Sequence, residues 1–493
     1  MKRIFQTAAL LALGLTSLAS ASEKPNILFF LVDDMGWQET SVAFGPERTA
    51  LNDVYETPNM KRLASEGMLF TNAYACAICS PTRVSLMTGQ NAARHKVTSW
   101  TLRKNVAPRE NTKVLLPPKW NLNGLQPPGT NVEATFEAKT LPAYLQDLGY
   151  KTIHVGKAHF GAKDTPGANP SNLGFNVNIA GAHMGGPGSY HGDKDFSAVW
   201  RGGGAIWSVP GLEKYHGQKI NLTEALTLET IAELKKTVKE DKKPFYLYMS
   251  HYAVHAPWEA DRRFIDHFKK KGLKGQQAVL ASMLKSMDKS LGDLMDTFEE
   301  LGVAEDTIIV FMSDNGSPKN CKRNLPLRGH KISGYEGGSR VPMIVHYPGI
   351  TKKTTRTDAP IIIEDIFPTF LEWAGMKEIP QNDGLSFDEI LNDPATDRSQ
   401  RPLFWHYPNS YDQPAFSSVR LGDLKLLYWH ATQKLELFNL KDDLSEENDL
   451  AAKQAEDVKR LAKLLSDHLR STKALMATVK KTGKPVPLPD EVL

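Results

Sequence analysis

Cysteine is scarce in this sequence: its 493 residues contain three, Cys76, Cys79 and Cys321. That number excludes a fold stapled by disulfides, and being odd it leaves at least one thiol to explain. Charge of one sign is missing too. Sixty Lys and Arg stand against 56 Asp and Glu, a formal net charge of +4. No basic stripe gathers that small surplus, so nucleic acid is not an expected partner. Beyond the first 21 residues no run is long and apolar enough to be a membrane helix. What is present is the composition of a globular protein, 41% hydrophobic and 24% charged. The length suits one large or two ordinary domains with a sizeable core.

The first 21 residues stand apart. Lys2 and Arg3 make a basic start, residues 8–18 are apolar, and Ala19-Ser20-Ala21 follows. This is the layout of a cleaved secretory signal with a small-x-small cleavage site. A buried N-terminal helix is the alternative. Cleavage near Ala21 would leave a mature chain of formal charge +2, exported and without a membrane span.

Four short apolar runs, at 27–32, 151–155, 245–249 and 307–312, read as buried parallel strands, each followed by a turn and a helical pattern. Long helical stretches lie at 223–239 and 277–301. The alternation predicts an α/β core with a parallel or mostly parallel sheet. Residues 380–402 are rich in Asp, Asn and Pro and read as a connection. Beyond it, runs at 415–420, 424–428 and 435–439 predict an antiparallel meander, followed by a helix at 454–469. A division near residue 395 follows: 22–395 as one domain, 396–493 as a smaller one. Residues 101–134 form a long insertion rich in Pro and Asn with little periodicity, a length that often serves function or mobility.

Ligands of open α/β sheets bind beyond the carboxyl ends of strands. The first strand ends in Asp33-Asp34, and the strand at 307–312 ends in Ser313-Asp314-Asn315-Gly316. Adjacent buried carboxylates are costly unless something positive neutralises them. Three carboxylates and one amide oxygen suit a hard cation, Ca²⁺ or Mg²⁺, rather than zinc. Either pair alone also fits turn and helix-capping residues. The other two strands lead to Lys157 with His159, and to His251 and His255. A cation and imidazoles placed there can hold an anion and move protons.

The most specific feature is Cys79-Ser80-Pro81-Thr82-Arg83, continuing to Leu86-Met87-Thr88-Gly89. Pro81 suits a first helical turn and Gly89 a helix end. Cys79 then sits at or just before a helix N-terminus, where free N–H groups favour an anion, and Arg83 lies about one turn on. Cys76 and Cys79 also fit a redox C-x-x-C spacing, but that reading leaves Pro81 and Arg83 unexplained. Cys76 reads better as a small buried residue.

Cys79-x-Pro81-x-Arg83 with Leu86-Met87-Thr88-Gly89 resembles the signature of the type I sulfatases, within the alkaline phosphatase superfamily. The resemblance runs along nearly the whole mature chain. It takes in 26–34 with the paired aspartates, Gly156-Lys157-x-His159-x-Gly161, His255-x-Pro257 and Ser313-Asp314-Asn315-Gly316. It continues through Leu327-Arg328-Gly329-His330-Lys331, Glu336-Gly337-Gly338-x-Arg340 and Leu437-Phe438-Asn439-Leu440. Ala158, Thr82 and His330 depart from the usual Trp, Ser and Gly. None of these three carries an assigned chemical role.

The resemblance implies an alkaline phosphatase-like sandwich: a large, mostly parallel sheet flanked by helices, and a C-terminal α+β subdomain. It also implies that Cys79 is oxidised to formylglycine (3-oxoalanine) by a maturation enzyme. One hydroxyl of the hydrated aldehyde would attack sulfur, and the other would allow sulfate to be expelled. One Ca²⁺ would be held by Asp33, Asp34, Asp314, Asn315 and the modified residue 79. Arg83, Lys157 and Lys331 would neutralise sulfuryl oxygens, His255 would protonate the leaving alcohol, and His159 would assist sulfate release. Secreted bacterial members that act on carbohydrates suggest a sulfated glycan substrate, attacked from an end, in the periplasm or outside the cell. Trp100, Arg103, His183, His191 and His406, all expected in loops, are the candidate sugar contacts. The rivals are a phosphoester or phosphonate monoester hydrolase of the same superfamily, and a non-catalytic binder of sulfated glycans.

Overall fold

The computed structural model describes residues 24–319 and 322–493. The expected signal at 1–21, and Cys321, lie outside the described residues. Among the described residues no helix is long and apolar enough to cross a membrane.

The core is an eight-stranded sheet. Its strands are β1 (Asn26–Val32), β2 (Met68–Phe70), β3 (Lys151–Gly156), β4 (Val177–Ile179), β5 (Phe245–Ser250), β6 (Thr307–Ser313), β7 (Met343–His346) and β8 (Thr355–Thr357). Their spatial order is β8-β2-β7-β6-β1-β5-β3-β4, and only β7 runs against the rest. The mostly parallel α/β sheet expected from the sequence is therefore present. The four strands legible as apolar runs are neighbours at its centre.

β1 shows why it lies in the middle. All seven residues, Asn-Ile-Leu-Phe-Phe-Leu-Val, are buried. Ile27, Phe29 and Leu31 enter one apolar layer; Leu28, Phe30 and Val32 enter the opposite one. A strand covered on both faces cannot alternate with polar residues. Each large side chain so buried contributes about 1.5–3 kcal/mol.

One layer holds α2 (Cys79–Thr88) and α5 (Ile366–Trp373). The other holds α1 (Pro58–Glu66), α3 (Leu222–Glu240) and α4 (Gly275–Glu300). α4 buries Leu280, Leu284, Met287, Leu291, Leu294 and Phe298, a spacing of alternating fours and threes that keeps one stripe on the sheet.

The C-terminal part is an antiparallel meander of β9 (Leu403–Tyr407), β10 (Phe416–Leu421), β11 (Leu424–Trp429) and β12 (Lys434–Asn439). α6 (Ala455–Ser471) covers it through Leu461, Leu465 and Leu469. The meander has four strands rather than the three read from the sequence. β9 begins directly after the polar connection, and only five residues signal it.

The meander is tied to the larger sheet by polar groups. Trp405 Nε1 donates to Ala75 O at 2.9 Å. The buried Lys425 ammonium lies 2.9 Å from a carboxylate oxygen of both Glu336 and Glu446. Burial pushes Glu446 up to about 7, against the pull of Lys425. Lys425→Met would leave the buried Glu446 without its cation and Glu336 with Arg340 in place of two partners. We expect it to lower stability by about 3–5 kcal/mol in chemical denaturation. A loss below about 1 kcal/mol would mean that the pairing adds nothing.

Candidate active site

The register of the sheet builds the site. Val32 lies opposite Ser313, Leu31 opposite Ser250, and Ser250 opposite Gly156. Four strands thus end at one level, and the residues after them converge. α2 points its N-terminus at the same place. Ile78 caps it in extended backbone, Cys79 is its first residue, and Gly89 closes it in the left-handed region, donating to Ser85 O at 2.8 Å.

All ten residues of α2 are buried, so its polar groups need partners. Thr82 Oγ1 donates to Asp314 O at 2.7 Å. Ser80 Oγ lies 3.3 Å from the His159 ring nitrogens. Arg83 donates from Nε and Nη2 to Asp314 Oδ2 at 3.1 and 2.8 Å. Its Nη1 donates to Lys157 O and Ser250 Oγ at 2.8 and 2.6 Å. In this arrangement Arg83 braces a carboxylate and two strand ends.

Lys157 Nζ donates to Asp33 Oδ2 at 2.7 Å, and Lys331 Nζ to Asp34 Oδ1 at 2.6 Å. Asn315 Nδ2 also donates to Asp34 Oδ1, at 2.7 Å. In this cluster two buried oxygens, Asp33 Oδ1 and Asn315 Oδ1, have no hydrogen-bond partner among the described residues. Unpaired buried acceptors are costly, and a bound cation would satisfy both. Oxygens of Asp33 and Asp34 and a ring nitrogen of His255 all lie within 4.8 Å of one another. Asp34 N donates to Asp314 Oδ1 at 3.2 Å and Asn315 Nδ2 to Asp34 Oδ1, so the expected donor set Asp33, Asp34, Asp314 and Asn315 is contiguous and fits a hard cation in its chemistry.

Electrostatics agree. Burial, then the neighbouring Asp314, pushes the Asp33 carboxyl well above its ordinary range. Burial acts on Asp34 in the same sense, but Lys331 and His255 outweigh it and hold that carboxyl low. Burial raises the Cys79 thiol; Lys157 and Lys331 pull it down, and Asp314 and Asp33 push it up. Residue 79 is thus surrounded by the charges of the cluster.

Both histidines have one nitrogen engaged by a carbonyl, which can only accept. His255 Nδ1 donates to Ala256 O at 2.7 Å, leaving Nε2 facing Asp34 Oδ2 at 3.8 Å. His159 Nε2 donates to Thr101 O at 2.7 Å. Burial lowers both imidazoles, His255 to about 4. His251 lies away from the cluster, buried, with Nε2 3.0 Å from Ser290 Oγ.

Of the loop at 181–188, Gly-Ala-His-Met-Gly-Gly-Pro-Gly, sequence reasoning picks out His183 and passes over the glycines, although their density is the signal. A Cβ at Gly185 would lie 2.5 Å from His159 Cε1, and one at Gly186 would lie 2.6 Å from His255 Nδ1. Only glycine lets this backbone press on both rings. Gly186→Ala is expected to displace His255 and lower kcat/KM by about 10- to 100-fold, with the melting temperature measured alongside. Unchanged kinetics would show that the ring position does not matter.

The expected sugar contacts separate. Trp100 packs edge-to-face on Tyr411, with centroids 5.6 Å apart, and Arg103 is exposed. His183 is partly buried, 3.1 Å from Ile206 O. His191 is buried beside Glu259, at 3.9 Å. His406 is not a loop residue. It lies in β9, buried, with Ser417 Oγ and Leu475 O at 2.8 and 3.0 Å occupying both nitrogens. β9 is covered on both faces, Leu403, Trp405 and Tyr407 joining the core of the large sheet and Phe404 stacking on His468 of α6, so His406 is enclosed.

A family model described as Sulfatase matches residues 25–376, and one described as N-sulphoglucosamine sulphohydrolase, C-terminal, matches residues 330–474. The chain belongs to the sulfatase family. This sulfatase is 28% identical over 515 residues to a sulfatase of Formosa agariphila, covering 92% of this chain and 89% of that one. It is 30% identical to the N-acetylgalactosamine-6-sulfatase of Mus musculus, covering 88% and 77%. Among solved structures, Ps i-CgsB superposes with a TM-score of 0.73 at 26% identity, covering 90% and 93%. The family sits in the alkaline phosphatase superfamily, and the chain is accordingly a sulfuric ester hydrolase of the arylsulfatase-like kind. The phosphonate monoester hydrolase SpPMH from Silicibacter pomeroyi shares the fold, with a TM-score of 0.62 at 17% identity.

Proposed function

We propose that this sulfatase removes sulfate from a sulfated carbohydrate, with residue 79 converted to formylglycine and one Ca²⁺ held by Asp33, Asp34, Asp314 and Asn315. The observation that carries this reading is the convergence of those oxygens, three cations and two histidines on the N-terminus of α2. The N-acetylgalactosamine-6-sulfatase of Mus musculus acts on a sulfated sugar by name, which supports the substrate class. Attack at a chain end, on a sulfated galactose or hexosamine, remains the preferred form.

A hydrated aldehyde at residue 79 would supply a nucleophilic hydroxyl together with a second one through which the aldehyde is restored. A calcium ion in the oxygen set would polarise a sulfate oxygen and acidify a hydroxyl beside it. The chain's own residues do the rest. Arg83 clamps Asp314 so that its carboxylate keeps one orientation. Lys157, paired with Asp33, and Lys331, paired with Asp34, are the cations available to sulfuryl oxygens. His255, anchored through Nδ1, has a bare Nε2 when neutral; it can take up a proton there and pass it to the leaving oxygen. His159, anchored through Nε2, is bare at Nδ1 when neutral and can take up a proton there, on the nitrogen left toward Ser80.

Cys79 is 4% exposed, so a maturation enzyme would reach it before the chain folds. Export with loss of residues 1–21 belongs to the same reading, as does a division near residue 395 that leaves the chemistry in 22–395. A non-catalytic binder would not need every one of these groups. The oxygen-only set also argues against a two-zinc phosphatase.

The test is side-by-side turnover of 4-nitrophenyl sulfate and 4-nitrophenyl phosphate by matured protein. We expect kcat/KM to favour sulfate by at least about a hundredfold. A preference for phosphate of that size would replace this reading with a phosphoester or phosphonate hydrolase.

A further inference from the structure

We propose that the cleft between residues 109–115 and the loop at 410–415 binds the sugars of a sulfated oligosaccharide that lie beyond the sulfated one. This rests on the carbohydrate sulfatase reading above and gives the insertion at 101–134 a role. The cleft measures roughly 810 Å³, within the range of sites that enclose small ligands, and its lining includes Arg109, Asn111, Thr112, Tyr411 and Gln413.

Tyr411 joins it to the candidate active site. Its ring lines the cleft and packs against Trp100, and its phenol lies within electrostatic reach of Lys331 and Cys79. Trp100 in turn precedes Thr101, whose carbonyl holds His159. A chain seated with its sulfate at residue 79 would leave past this aromatic pair.

The cleft is built in advance. The Glu110 carboxylate accepts from Asn409 Nδ2 and from Ser410 N, both at 2.8 Å, and Asn111 N donates to Ser410 O at 3.0 Å. Leu115–Leu116 pairs with Thr478–Val479, pinning the insertion to the C-terminal subdomain. Two walls locked to each other lose little entropy when a ligand binds. The lining also suits one ligand class. An aromatic ring offers a face to a pyranose, amides and a hydroxyl match sugar hydroxyls, the exposed Arg109 guanidinium matches a sulfate group, and the exposed Asp412 carboxylate of the same lining can accept from sugar hydroxyls. Val114 is the one large apolar side chain of the lining that is exposed, too little for a protein partner.

The experiment is calorimetric titration of full-length Cys79→Ala protein with fragments of one, two, four and six sugars from chondroitin 6-sulfate, carrageenan and heparan sulfate. We expect affinity in at least one series to rise about tenfold or more from one sugar to six. Tyr411→Ala and Arg109→Ala, made in the same background, should flatten that rise, and Tyr411→Phe should keep most of it. If either alanine variant melts early, Gln413→Ala and Asn111→Ala replace it. Affinity independent of length in all three series, or a rise that survives the substitutions, would overturn the proposal. Because this protein turns nothing over, failure of matured enzyme to release sulfate would refute the catalytic reading alone and leave the length dependence as the measure of the cleft.

Discussion

Cys79→Ala is expected to abolish sulfate release, with a loss on the order of 10³-fold or more in kcat. The side chain at position 79 is the only one that begins α2, and the cluster of Asp33, Asp34, Asp314, Lys157 and Lys331 is arranged around it. Cys79→Ser should rescue nothing, because a serine hydroxyl can take a sulfuryl group but has no geminal hydroxyl by which to release it. Mass spectrometry of the peptide spanning residue 79 checks the same point in wild-type protein. Active enzyme should carry an aldehyde where the gene encodes a thiol. Active protein with only unmodified cysteine would refute the mechanism.

The second large effect concerns Asp33. One of its oxygens holds Lys157 and the other has no hydrogen-bond partner among the described residues. Asp33→Asn keeps the shape and removes the charge. We expect calcium affinity to fall at least tenfold and kcat/KM to fall by about 10²- to 10³-fold, with partial recovery at high calcium. Calorimetric titration of chelator-stripped wild type and variant separates the two effects. Equal calcium affinity in both would remove Asp33 from the metal site. Asn315→Ala deletes the other unpaired oxygen and should act in the same direction.

These predictions use residues that the sequence already pointed to, and the reason is physical. A buried parallel strand announces itself as an unbroken apolar run, so 27–32, 151–155, 245–249 and 307–312 could be read directly. Polar residues at the ends of such runs are conspicuous because burial makes them costly. β9 was missed because five residues beside a polar connection carry little pattern. His406 was misplaced for the same reason, since without the strand its enclosure has no cause. Gly185 and Gly186 were legible only as composition, and their role appears when the loop is seen against two imidazoles.

The sequence by itself determined the residue types, the strand-end positions and the helix that starts at Cys79, since these depend on neighbours along the chain. Only the tertiary structure decided which strand ends meet. It ordered the four runs as β6-β1-β5-β3, levelled their ends, and left one oxygen each of Asp33 and Asn315 unpaired among the described residues. It also brought Tyr411, more than 300 residues along the chain, against Trp100. Such pairings are set by packing between distant segments, which no local pattern encodes.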